Sequence, residues 1–525
     1  MKAGRNLVSG GAAAAWLLGL VLVLVVLQTD FLQQITHFTV ASITHVSDEM
    51  AYKVSSSVSE ITRKQQQQLV EVAKSKAPVG MPNTTDSVAD APPSLTSSDE
   101  IGSHVVDGIK DLKHENEFLA MDGQIDGSMQ NSDVAAPRSK LTCNFSSRHM
   151  DICAMEGDIR MHGKSATVYV LAASNDSYWP ENGTVTIRPF PRKHEVSTMA
   201  KVQEVTIRSS APVGTTPPRC TVTHDVPAVV FSTGPDSGNF FHGMSDMVIP
   251  LYITTREYNG RVQLVVIDYN HKWISRYRDV LAALSIYPVI NLDIDNAVRC
   301  FPSVHVGIEY HDTLGINPAL SRNGYTMMDF LGFLRSVYSL KRPWVTPVNL
   351  SFGQRPRLVM ILRGYSRVLT NEAEAITAAT EVGFEVVAAG PEVVKDITQF
   401  AQVVNTCDVI VGVHGAGLTN MVFLPHNGTV MQIIPWGEMK WPCWATFGYP
   451  SPGMGLRYVE YEATAEETTL KDVYPKDHAV FADPLSLHKS FDDMYKYFLD
   501  GQNVTLDIDR FTGDIKKIYQ SITIT

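Results

Sequence analysis

No C-x-x-C pair occurs among the six cysteines (Cys143, Cys153, Cys220, Cys300, Cys407, Cys443), so the spacing that builds a zinc site is missing. Positive charge is scarce: 44 Lys and Arg stand against 55 Asp and Glu, and a net charge of −11 argues against a nucleic-acid partner. Where glycines cluster, Gly412, Gly415 and Gly417 read G-x-x-G-x-G rather than G-x-G-x-x-G, and no G-K-[ST] follows. Both a dinucleotide oxidoreductase and a P-loop nucleotidase are thereby disfavoured. Long apolar runs are lacking too, with one exception.

That exception is Gly10 to Leu27, which carries no charge and is just long enough to span a bilayer. Leu27-Gln28-Thr29-Asp30 offers no convincing signal-peptidase site, so the run reads as an uncleaved anchor over residues 10–28. Lys2 and Arg5 on the short side keep the tail, residues 1–9, in the cytosol and put the rest in the lumen: a single-pass type II membrane protein. Sequons at Asn83, Asn144, Asn175, Asn182, Asn349, Asn427 and Asn503 fit the secretory pathway. In that oxidising lumen the cysteines can form disulfides, Cys143 with Cys153 being the most local candidate among fifteen complete pairings. Residues 29–140 are polar, with Gln65 to Gln68 in a row, and read as a disordered stem.

At 525 residues the chain exceeds one hydrophobic core, and two folded domains are expected, 141–345 and 346–525. In the first, β-rich runs (Thr167 to Leu171, Val202 to Ile207, Ala228 to Phe231, Val262 to Asp268, Val304 to Ile308) alternate with helical segments such as Lys272 to Leu284, an α/β pattern. In the second, strands Leu358 to Leu362, Phe384 to Ala388, Val409 to Val413 and Thr429 to Ile434 alternate with helices Asn371 to Val382 and Asp396 to Thr406. This predicts a doubly wound parallel sheet, with ligands at the carboxyl ends of its strands. Those ends carry Arg363, His414 and Trp436 with Glu438.

The stretch Asp408 to Leu424 is a buried strand, a glycine turn from His414 to Gly417 and a helix start, an arrangement that suits a diphosphate or serves only as an ordinary crossover turn. Arg363 and Arg367 follow another strand end, where guanidinium groups match phosphate oxygens or, in a solvated loop, pair with Glu372 or Glu374. Asn239, His242 and Asp246 form N-x-x-H-x-x-x-D. His and Asp four apart on a helix can orient an imidazole as general base, or form only a local pair behind a helix cap. Asp293-Ile294-Asp295 is a D-x-D triplet with no further acidic cluster near it, and is read as a strand-end turn rather than a metal site.

The quoted residues go further when read together. C-N-F-S-S-R-H-M-D-I-C-A-M-E-G-D-I-R-M-H-G (Cys143 to Gly163), G-N-F-F-H-x-x-S-D (Gly238 to Asp246), R-x-x-x-R-x-x-x-N-E (Arg363 to Glu372), G-V-H-G-A-G-L-T-N (Gly412 to Asn420) and P-W-G (Pro435 to Gly437) occur in this order. From Cys143 to its end the chain resembles glycosyltransferase family 61, plant Golgi enzymes that include xylan arabinosyl- and xylosyltransferases. The resemblance implies a GT-B fold, two Rossmann-like domains facing a cleft, the last helix free to pack back on the first. It implies inverting transfer from a UDP-sugar with no cofactor and no bound metal. The donor would lie at Arg363, Arg367 and the His414, Gly415, Ala416, Gly417 turn, with Asn371, Asn420 and Glu438 as further donor-binding candidates. The catalytic pair would be His242 and Asp246. The sequence departs from the family pattern at Gly243, where an acidic residue is expected, and at Leu362, where Ser is expected.

The expected activity is transfer of arabinofuranose or xylose from its UDP donor to xylan in the Golgi lumen, alone or in a complex with other Golgi transferases. Closure of the two domains would exclude water. The alternatives are transfer of xylose or N-acetylglucosamine to glycoproteins, and a non-catalytic glycan-binding or scaffold role.

Overall fold

In a computed structural model, residues 139–171, 179–180, 183–209 and 216–524 are described, and all belong to one compact unit. The anchor, most of the stem, and Asn83, Asn175 and Asn182 lie outside the described residues. No helix among the described residues is long and apolar enough to cross a membrane.

The first half contributes strands β1 (Lys140–Asn144), β2 (Ile152–His162), β3 (Thr167–Val170), β4 (Thr184–Ile187), β5 (Val205–Ser209), β6 (Val222–Thr223), β7 (Ala228–Ser232), β8 (Gln263–Ile267), β9 (Ile290–Asn291) and β10 (Val298–Val306). They form one sheet in the order β4-β5-β3-β2-β10-β7-β8-β9, with β1 on β2 and β6 on β10. β10, β7, β8 and β9 run parallel, whereas β2 pairs antiparallel with β10, β1 and β3. The expected Rossmann-like domain is therefore only part of this half. β7 and β8 are buried along their whole length, as parallel strands covered on both faces must be, while β2 mixes buried positions with half-buried and exposed ones. Two disulfides fasten the antiparallel side: Cys143–Cys153 joins β1 to β2 as the sequence suggested, and Cys220–Cys300 ties the chain before β6 to β10. Cys407 and Cys443 are buried thiols.

The second half follows the expected alternation closely. β12 (Arg357–Ile361), β13 (Glu385–Ala389), β14 (Val409–Val413), β15 (Thr429–Ile434) and β16 (Arg457–Glu462) form an all-parallel sheet in the order β13-β12-β14-β15-β16. The connecting helices are Glu372–Val382, ended by Gly383 at φ 123°, and Ile397–Asn405, whose first amides at Thr398 and Gln399 are capped by the Asp396 carboxylate. Strand order reverses between β12 and β14, and a doubly wound sheet opens its ligand crevice at that point.

Two expectations change here. The last helix, Ile508–Ile522, packs on Glu372–Val382 within the second half rather than on the first, and the strand after it, β17 (Thr523–Ile524), pairs with β11 (Val348–Asn349). Its apolar face of Phe511, Ile515, Ile518 and Ile522 shares a core with Leu358 and Met360, which fixes that position. The segment after the glycine turn, Ala416–Phe423, is 3-10 rather than α-helical: Leu418 N–H bonds Gly415 O, and the Asn420 side chain bonds Gly417 O at 2.8 Å. Between the halves lies a single apolar core in which Phe231, Phe241 and Val248 join Val359, Ile361, Phe400 and Leu418.

Candidate active site

A cleft of about 600 Å³ opens at the strand-order reversal, between the carboxyl ends of β12 and β14. Ile361 to Arg367, Val413, Ala416 and Gly417 line it from the second half, and Gly238, Asn239, Phe240 and Arg276 from the first. The two arginines reach it differently. Arg363 is half-buried and its Nε donates to Ser366 O at 2.7 Å. Its guanidinium lies against the glycine turn, so that a side-chain carbon added at Gly415 would stand 2.0 Å from Nη1. Gly415 also has φ 150°, which disfavours any residue with a side chain. Arg367 is only 2% exposed and sits at φ 57°. Its loop is pinned from behind, Arg367 N–H bonding Gln502 O and Val368 N–H bonding the Asn503 side chain.

His414 stands beneath this turn, hydrogen-bonded through Nδ1 to Gln432 Nε2 at 2.7 Å. Tyr458 donates its hydroxyl to Gln432 Oε1 at 2.6 Å, so the Gln432 amide nitrogen donates to Nδ1 and the imidazole proton resides on Nε2. Burial, then the charges of Arg367 and Arg363, push His414 well below the usual imidazole range. The ring is thus a neutral N–H donor amid positive charge.

On the other side, His242 and Asp246 meet as their spacing suggested, Nδ1 to Oδ2 at 2.8 Å, on a helical run over residues 240–255. Asp246 lies in its π-helical turn, Gly243–Val248, and such turns often mark functional sites. Neither side chain exceeds 1% exposure. Asn239 caps the run, accepting from Phe241 and His242 amides.

Sequence reasoning missed the third member. Arg192 grips Asp246 with two bonds, Nη2 to Oδ1 at 2.6 Å and Nε to Oδ2 at 3.1 Å, and holds Glu195 at 3.4 Å. Burial would raise the Asp246 carboxyl, but the Arg192 charge and the bond from His242 hold it below its usual value. Burial opposes charge on His242, yet the bond to Asp246 and its charge keep the ring titrating above the ordinary imidazole value. With Nδ1–H donated to the carboxylate, Nε2 is the atom that can take a proton.

Phe240–His242 packs on Ala416–Phe423, so the two parts face each other across one seam. Phe447 fills it, its ring 5.7 Å from His414 and 6.0 Å from Phe241, which is 5.1 Å from the His242 ring.

Other candidates lie elsewhere. Asn371 clamps residue 506, donating to its carbonyl and accepting from its amide, each at 2.9 Å. Asn420 is buried on Gly417 O, and Glu438 is exposed and does not line the cleft. Asp293 accepts from the Asp268 and Tyr269 amides, and Asp295 pairs with Arg299 at 2.6 Å, so both carboxylates serve local structure. Gly243 faces Tyr277, whose hydroxyl would lie 2.6 Å from an added side-chain carbon, which explains why no acidic residue fits there. Leu362 is half-buried and lines the cleft. Of the sequons, Asn144 and Asn427 are exposed, Asn349 accepts from the Ser351 amide, and the half-buried Asn503 is committed to Val368. Arg276, whose Nη1 bonds Gly238 O at 3.0 Å, and Lys395 add positive charge to the cleft, and no motif announced either.

The glycosyltransferase 61 family profile matches residues 240–431, from Phe240 in the His242 helix to Met431 in β15. An alpha-1,3-arabinosyltransferase of Oryza sativa subsp. japonica is 41% identical over 377 residues, 71% of this chain and 64% of that relative, so less than two thirds of its length is covered. A rice beta-1,2-xylosyltransferase is 39% identical over 78% of this chain and 86% of its own length. A xylan glycosyltransferase of Arabidopsis thaliana is 32% identical over 74% of this chain and 82% of its own length. The likeness thus extends well beyond the cleft, and the chain belongs to family 61 of the glycosyltransferases.

Proposed function

We propose that the protein transfers a pentose, arabinofuranose or xylose, from a UDP donor to xylan with inversion, in a GT-B arrangement. The observation that carries this reading is the convergence of Arg363, Arg367 and the turn at Ala416 and Gly417 on one cleft, whose first-half wall at Gly238, Asn239 and Phe240 opens the helical run that carries the buried His242, with Asp246 and Arg192. The relatives named for arabinosyl, xylosyl and xylan transfer support the sugar and the acceptor.

In this mechanism the acceptor hydroxyl gives its proton to His242 Nε2 and attacks the anomeric carbon from the face opposite UDP. Asp246 fixes the ring's orientation and stabilises the imidazolium, and Arg192 keeps Asp246 ionised. Arg363, Arg367 and the turn's backbone amides stabilise the departing diphosphate, and His414 donates from Nε2 without adding a charge. The arginines supply the positive charge that a divalent cation would otherwise bring, so no metal takes part.

We place the enzyme in the Golgi, anchored by residues 10–28 with its head in the lumen. The disulfides Cys143–Cys153 and Cys220–Cys300 and the exposed sequons support an oxidising, glycosylating compartment. Incubation of the full-length protein with UDP-arabinofuranose, UDP-xylose or UDP-N-acetylglucosamine and xylo-oligosaccharides, with and without chelator, tests the proposal by product mass. A pentose added to xylo-oligosaccharide in both conditions is expected. Absence of any pentosylated product overturns the substrate reading, and a loss with chelator that manganese restores overturns the metal-free one.

A further inference from the structure

The connection between β15 and β16 holds a short helical stretch, Lys440–Cys443 continuing as Trp444–Gly448, with two unlike faces. Its inner ring is Phe447, 1% exposed and wedged between His414 and Phe241 at the seam of the site. Its outer face carries Trp441, Trp444 and Tyr449 in a row, ring centroids 5.0 and 5.7 Å apart. Tyr449 is 52% exposed, and both tryptophans are only half-buried.

The row is built rather than incidental. A side-chain carbon at Gly448 would lie 2.5 Å from the Trp444 ring and 2.7 Å from Tyr458, so this glycine is what lets Trp444 lie back along the stretch. Carboxylates occur on the elements at both ends of the row. Lys440 bridges Glu460 and Glu462 at 3.2 and 3.5 Å beside Trp441, and the Asp312 carboxylate meets the Tyr449 hydroxyl. Asp312 lies in the loop whose Leu314 amide bonds Ser245 Oγ, one residue from Asp246. The row therefore runs from the second half to the loop that braces the His242 helix.

Aromatic faces edged by carboxylates match the two faces of a pyranose: C–H groups pack on the negative face of a ring, and equatorial hydroxyls donate to the acids. We propose that Trp441, Trp444 and Tyr449 form a platform for the acceptor, binding an extended chain of pyranose rings beyond the residue that receives the sugar. This rests on the reading of the protein as a glycan-directed transferase. The occupant follows from continuity with the site, since the stretch that displays the platform also sets Phe447 against His414 and Phe241.

The test uses the full-length protein and xylo-oligosaccharides of increasing length. In the wild type KM should fall as the acceptor lengthens. Trp444→Ala and Tyr449→Ala should raise KM for the longest acceptors about five- to tenfold, leaving kcat, the donor KM and the shortest acceptor unchanged, while Trp444→Phe restores most of the loss. An equal loss for all lengths, an unchanged length dependence, or an altered oligomeric state in sedimentation overturns the platform. If the wild type transfers nothing to xylan, the substrate reading fails separately. Binding to immobilised β-linked polysaccharides then decides the platform: loss of binding in Trp444→Ala supports it, and retention overturns it.

Discussion

The two halves meet the same demand, holding charge inside protein, in opposite ways. In the second half the charges face a cleft: Arg363 and Arg367 share one loop and line it, and Gly415, from the turn after β14, makes room for the Arg363 guanidinium. In the first half, a buried Asp246 is compensated by Arg192, 54 residues away, with His242 as the group it serves. Like charges gathered at a cleft suit an anionic ligand. A charge paired inside the protein ties stability to activity, because each member is costly without its partner.

Three measurements would sharpen or break that contrast. Arg192→Met should have the largest effect, since it strands a buried carboxylate. A loss of about 3–5 kcal/mol in denaturant unfolding is expected, and a stable, fully active Arg192→Met protein would show that Asp246 does not depend on it. Gly415→Ala should cost less stability, about 1–3 kcal/mol of backbone strain, while displacing Arg363. Turnover should fall about 10²–10³-fold, the usual cost of one lost oxyanion donor, and normal turnover would separate Arg363 from the leaving group.

The smallest effect concerns pH. As the proposed base, His242 must be neutral to accept a proton, so kcat/KM should rise with pH through its pKa, and Asp246 should place that limb above about 6.5. Asp236 adds to the same upward push. Asp236→Asn should thus move the limb to lower pH, by less than about one unit. A limb that stays in place, or moves up, would remove Asp236 from His242's surroundings.

How far a feature extends along the chain decides what could be read in advance. Strands β12 to β15 and the helices between them were legible because each announces itself within a dozen residues, through β-branched runs, Gly383 and Asp396. The pairing of His242 with Asp246 was legible for the same reason, being one helical turn. Arg192 was not, because nothing in F-P-R-K-H-E points to a partner 54 residues on. Nor was the antiparallel half of the first sheet: β2 pairs with β10 from Val298↔His162 to Val306↔Cys153, and only tertiary packing specifies that register. Glu438 was misplaced by counting strand ends. It does follow β15, but it turns out to solvent at φ 61°. The 3-10 geometry of Ala416–Phe423 escaped because the same apolar spacing serves an α-helix.

The apolar core that runs without interruption from Val248 to Phe400 has a consequence for motion. Swinging one half away from the other as a rigid body would bring that shared interior into water. Substrate entry must therefore depend on segments that border the cleft without filling the core, above all the loop carrying Tyr365, which is 72% exposed. The same continuity makes the halves one cooperative unit, so a single melting transition is expected, and UDP, if it binds as proposed, should stabilise both together.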